Sequence, residues 1–150
     1  MSGVTPRSES GVPGVAVRGE PEEYYLDLPR LEGIEEGASV VLMVRGQSLG
    51  DAASEVGSDL GARLLAMFLT SLCEMPPVVK AIVLVNEAVR LAAAESAVLS
   101  AMETIEKQGT DILCCSTSCN FYKIEPLVGV RSSMFHIAET LLTAGKVITL

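Results

Sequence analysis

Mainly apolar runs of strand length constrain this chain more than any other feature in it. They are Val40-Val41-Leu42-Met43-Val44, Ala81-Ile82-Val83-Leu84-Val85, Ile112-Leu113-Cys114-Cys115 and Val147-Ile148-Thr149-Leu150, with Leu127-Val128-Gly129-Val130 a weaker candidate. Continuous rather than alternating hydrophobicity belongs to strands covered on both faces, as in a parallel sheet. Helical patterns fill the gaps. A first helix is expected from a cap at Ser58 or Asp59 to about Glu74, with Leu60, Leu64, Met67, Phe68, Leu72 and Met75 facing inward. Leu65, Leu69 and Cys73 widen that apolar face beyond what one sheet covers, and Pro76-Pro77 stops the helix. A second helix runs from about Ser96 to Gln108, with Val98, Met102 and Ile105 inward, Lys107 in its last turn and Gly109 as its cap. A third starts near Ser132-Ser133, buries Met134, Ile137, Ala138 and Leu141, and ends at Gly145. Strands alternating with such helices make a three-layer α/β/α sandwich around a mostly parallel sheet of about five strands.

Residues 1–38 break this pattern. Gly, Pro, Ser and Glu dominate them, and they hold eight acidic and three basic residues, net −5 of the chain's −8. Such a segment buries too little to offset ordering entropy and is expected to be a flexible acidic tail. Tyr24-Tyr25-Leu26-Asp27-Leu28 is its apolar exception. Residues 39–150 carry eleven acids and eight bases, net −3, and form the expected single domain. No basic cluster is present to neutralise phosphates, which argues against nucleic acid. No apolar run approaches the roughly 18 residues that span a bilayer, and the first residues lack a signal-peptide core. Four clustered cysteines are not a disulfide framework, so a reducing, cytoplasmic setting is expected.

Chemistry concentrates at Ile112-Leu113-Cys114-Cys115-Ser116-Thr117-Ser118-Cys119. Parallel α/β proteins place their sites at the carboxyl ends of strands. A thiol there, under a following helix or turn, meets backbone N–H groups that favour the thiolate. Cys114 and Cys115 point to opposite sheet faces if the strand runs through both. Cys115 and Cys119 lie roughly 13 Å apart in an extended chain but roughly 6 Å apart across a helical turn, close enough for a disulfide or a sulfur handover. Burial of Cys115 as a small hydrophobe is the competing reading, and Cys114 and Cys73 are expected in the core. Three thiols at this spacing match neither zinc nor an iron–sulfur cluster, so no metal and no cofactor is expected. Asn86 closes the second strand at the same edge, either aiming an amide into the cleft or capping a turn. The loop Gly46-Gln47-Ser48-Leu49-Gly50-Asp51 is neither G-x-G-x-x-G nor a P-loop. His136, the sole histidine, sits in the third helix away from the cysteines and is expected to be solvated.

From about residue 39 onward the chain resembles a DsrE-like domain. More narrowly, it resembles the C-terminal half of the sulfurtransferase-like selenium metabolism proteins of the YedF type. The resemblance rests on Ser58-Asp59-Leu60-Gly61, Leu84-Val85-Asn86, Val89-Arg90-Leu91, Ser96 with Val98-Leu99, and Gly109-Thr110-Asp111-Ile112-Leu113 leading to Cys115. Phe121-Tyr122, Val128-Gly129 and Met134 with Ile137 complete it. It implies a parallel-sheet α/β fold, homo-oligomerisation and a place in sulfur or selenium handling. Family members end the strand in Cys-Gly-Thr-Cys. Here Cys115 and Thr117 keep their positions, Ser116 replaces Gly, Ser118 replaces the second Cys, and Cys119 comes one residue late. Glu95 replaces a glycine, and residues 1–38 hold no cysteine and are too short for the TusA-like domain of the full-length proteins.

Two functions follow as expectations. One is a persulfide or selenosulfide carrier, sulfurtransferase-like, with Cys115 holding the cargo and Cys119 resolving or accepting it. Asn86, Ser116, Thr117 and Ser118 would then solvate the thiolate, and a TusA-like or other protein would donate the sulfur. The other is a non-catalytic, oligomeric binding or assembly subunit that keeps the fold without the chemistry.

Overall fold

The computed structural model describes residues 39–50 and 55–150, so the expectations for residues 1–38 lie outside the described residues. Five strands form one sheet: β1 (Val40–Val44), β2 (Val79–Leu84), β3 (Asp111–Cys115), β4 (Val130–Ser132) and β5 (Lys146–Thr149). All four pairings are parallel, and the spatial order is β4-β3-β2-β1-β5. The first three apolar runs became the buried strands β1, β2 and β3; the last became the mostly exposed edge strand β5, and the run at 127–130 meets β4 only at Val130. Among the described residues four α-helices accompany them: α1 (Glu55–Cys73), α2 (Leu99–Lys107), α3 (Ser116–Tyr122) and α4 (Met134–Leu142). A 3₁₀ segment, Asn86–Ala92, follows β2.

The topology decides which face each helix covers. From β1 to β4 the chain steps along the sheet in one direction, and parallel crossovers share one hand, so α1, α2 and α3 fall on the same face. Leu65 and Leu69 of α1, Met102 and Ile105 of α2 and Cys119 of α3 accordingly share a core with Leu42, Ile82, Leu84 and Ile112. From β4 the chain returns across the whole sheet to β5, which places α4 on the other face. There Ile137 packs with Val41, Ala81, Val83, Leu113 and Cys115. This is a three-layer α/β/α sandwich.

Three expectations need correction. Helix α1 starts at Glu55, before the expected cap, and its inward residues are Leu65 and Leu69. Leu60, Leu64 and Met67, expected inside, are exposed. Gly61 explains the rotation. It is buried against the Ser48–Leu49 loop, and the Leu49 N–H donates to the Gly61 carbonyl at 2.9 Å. A Cβ there would collide with that loop, so Gly61 marks the closest approach and turns the 61–65–69 stripe inward. Helix α2 begins at Leu99, with the Ser96 hydroxyl accepting the Val98 N–H at 3.2 Å. Met134 is exposed at the start of α4, whose cap is Ser133, its side chain accepting the His136 N–H at 3.2 Å. No helix among the described residues is long and apolar enough to cross a membrane.

Candidate functional site

β3 delivers its last residues to the carboxyl edge of the sheet, where α3 starts directly at Ser116. Strand alternation sends Cys114 into the α1/α2/α3 core and Cys115 into the α4 core. Cys119, on α3, joins Cys114 rather than Cys115. The helical turn expected between Cys115 and Cys119 is present, but the two thiols face clusters on opposite sides of the sheet.

Depth is the second correction. Cys114, Cys115 and Cys119 are 0%, 2% and 1% exposed. Cys115 was expected at a water-facing mouth with amide hydrogens aimed at its sulfur. Instead it lies among Val83, Val85, Leu113 and Ile137, and its side chain makes no capping hydrogen bond to α3. The Cys114 thiol donates to the Val128 carbonyl at 3.8 Å. Burial pushes Cys114 up to about 12, with Cys119 and Glu106 adding to the shift and the Arg131 cation opposing it. Cys119 is raised too, first by burial, against the opposing Arg131. Cys73 is half-buried, bonded to the Leu69 and Ala101 carbonyls, and raised by burial and then by Glu74. The surroundings of Cys73, Cys114 and Cys119 favour the neutral thiol, the opposite of an activated nucleophile.

The polar residues of the edge hold the backbone together. Asn86 adopts a left-handed conformation (φ 54°) and donates its backbone N–H to Ser118 Oγ at 2.8 Å. This contact is made by the main chain, and Asn86 opens the 3₁₀ turn that follows β2. Ser118 is buried, Ser116 half-buried and Thr117 exposed. Arg131, opposite Cys114 in the β3–β4 pairing, was not anticipated from sequence. Its guanidinium donates to Glu125 at 3.0 Å, to the Ser116 carbonyl at 3.5 Å and to Asn120 Oδ1. Arg90 sits 5.0 Å above the Tyr122 ring, joining the 3₁₀ segment to α3. Among the described residues, no three His, Cys, Asp or Glu side chains gather as a metal centre needs.

No protein-family model and no curated protein matches this sequence. Among solved structures, a conserved protein of unknown function from Bacteroides thetaiotaomicron is similar, with a TM-score of 0.48 and 17% identity over 73% of this chain and 94% of that one.

Proposed function

We propose that this chain is a DsrE-like, oligomeric subunit of a sulfur- or selenium-handling assembly, keeping the fold and a partner surface but displaying no reactive thiol. The observation that carries this reading is the burial of all three loop cysteines, none more than 2% exposed. A carrier must offer its sulfur to donor and acceptor in turn, which a side chain sealed in an aliphatic core does not do. The outward stripe of α1 supports a partner. Leu60, Leu64 and Met67 stand at i, i+4 and i+7, all exposed, and contiguous apolar surface of this kind marks association sites. A second copy of the chain is the partner proposed. Four free cysteines suit a reducing, cytoplasmic compartment.

The test is exposure of the native protein to inorganic polysulfide or selenodiglutathione, followed by intact mass. This reading expects no adduct on Cys114, Cys115 or Cys119 of the native chain, and adducts on these three only after unfolding. A stoichiometric adduct on the native chain that disappears in Cys115→Ser would overturn it.

One observation favours the carrier reading as the alternative. Cys115 ends β3 and directly precedes α3, and only one helix, α4, packs on its face in the described chain, so a displacement of α4 uncovers the sulfur. In that reading the Cys115 thiolate takes the outer sulfur of a donor persulfide, such as that of a TusA-like protein, and the donor leaves as its thiolate. Ser116, Thr117 and Ser118 then surround the new persulfide, with Asn86 opposite, and Cys119 or an external thiol accepts the cargo. No metal or cofactor enters this chemistry.

A further inference from the structure

At the amino ends of the strands, opposite the cysteine edge, an open cleft of about 180 Å³ lies between the sheet and the flank of α4. Its floor is apolar: Val41, Ala81 and Leu113 contribute one side chain each from β1, β2 and β3. Its wall is not. His136, Glu139, Thr140 and Thr143 line it from α4 at spacings of i, i+3, i+4 and i+7, which is one helix face. Ile137 and Leu141, with Ala144 just beyond α4, take the packing face against the sheet, and this polar face runs beside it, with His136, Glu139 and Thr143 exposed at the rim. Lys80 and Asp111 complete the lining from the strands. Among the described residues the ion pair is Arg131–Glu125, so Lys80, Asp111, His136 and Glu139 do not neutralise one another. The Thr140 and Thr143 hydroxyls donate to the His136 and Glu139 carbonyls at 2.8 Å, which leaves their oxygens able to accept.

We propose that this cleft binds a small zwitterion of the α-amino-acid class. Lys80 and His136 meet its carboxylate, Asp111 and Glu139 meet its ammonium, and a short apolar side chain rests on Val41, Ala81 and Leu113. A simple anion would face two carboxylates, and a simple cation would face Lys80. Only a molecule carrying both charges satisfies both sets of groups at once. The volume sets the size, since drug-sized ligands fill roughly 300–1,000 Å³ and this space is smaller. The site is independent of any thiol chemistry and goes beyond the assembly reading.

His136 is the chain's sole histidine, so its imidazole gives one assignable set of NMR signals. Titrating the full chain with L-alanine is expected to move those signals saturably in the millimolar range, while ethylamine and propionate, its two halves, do not. Asp111→Asn and Lys80→Met, both at exposed residues, are expected to weaken binding about tenfold each, a loss of about 1.4 kcal/mol. Absence of a saturable shift, an equal response to propionate alone, or unchanged affinity in both variants would each overturn the proposal.

Discussion

The Asn86 backbone N–H donates to Ser118 Oγ at 2.8 Å, which fastens the end of β2 to the first turn of α3. Ser118 occupies the position where the resembled proteins carry a second cysteine. In this chain the residue acts as a strut. Ser118→Ala removes the acceptor and leaves the N–H of a left-handed residue without its partner. The expected loss is about 1–2 kcal/mol in urea denaturation. Ser118→Thr, which retains the hydroxyl, recovers part of it.

Gly129 sits at φ 79°, and a Cβ there would meet the Ile112 carbonyl oxygen at 2.5 Å. Gly109, at φ 107°, has nothing within 4 Å. Gly129→Ala is therefore expected to cost about 2–4 kcal/mol, strain and collision together, against about 1–2 kcal/mol for Gly109→Ala from backbone strain alone. Thermal melts of the two variants provide the comparison.

Alkaline pH tests the buried thiols. The folded chain holds the Cys114 proton until about 12, whereas the unfolded chain releases it near 9.0. The folded pKa is raised, so the stabilisation is complete below pH 9 and is lost as pH climbs from 9 toward 12. Cys119 is shifted in the same direction. Each such thiol steepens the fall by up to about 1.4 kcal/mol per pH unit in that window. Denaturation at several pH values is expected to show a shallower slope for Cys114→Ala, whatever its absolute stability.

Leu64→Asp and Met67→Asp place charges on the outward stripe of α1. Each is expected to change monomer stability by less than about 1 kcal/mol, because the side chains are exposed. Each is also expected to lower the sedimenting mass. A native chain that already sediments as a monomer would remove the assembly reading.

The strands and the layered fold were legible because apolar runs such as Val40–Val44 can be satisfied only between two layers. The direction of Cys114 and Cys115 was legible too, from alternation alone. The core position of Cys114 was legible as well; the depth of Cys115 was not, because it depends on Ile137 arriving from the helix of the last crossover. The orientation of α1 was hidden for a similar reason. Two of its faces are comparably apolar, and Gly61, invisible to a hydrophobicity count, chooses between them through the Ser48–Leu49 loop. α3 is open between helix and turn in the sequence because Ser-Thr-Ser-Cys-Asn is a weak helix former. Contacts remote in sequence hold it, from Asn86, Arg90 and Arg131. His136, expected to be solvated, is exposed; the cleft beside it was not legible, because strand ends remote in sequence form its floor.

The most direct measurement is a brief pulse of a small maleimide on the native protein at mildly alkaline pH, followed by peptide mapping. Cys115, Cys114 and Cys119 are expected to remain unmodified until the chain is unfolded, with Cys73 the first to react because it is only half-buried. Modification of native Cys115 at the rate of a free thiol would contradict the account, since it would mean that this sulfur is presented to water.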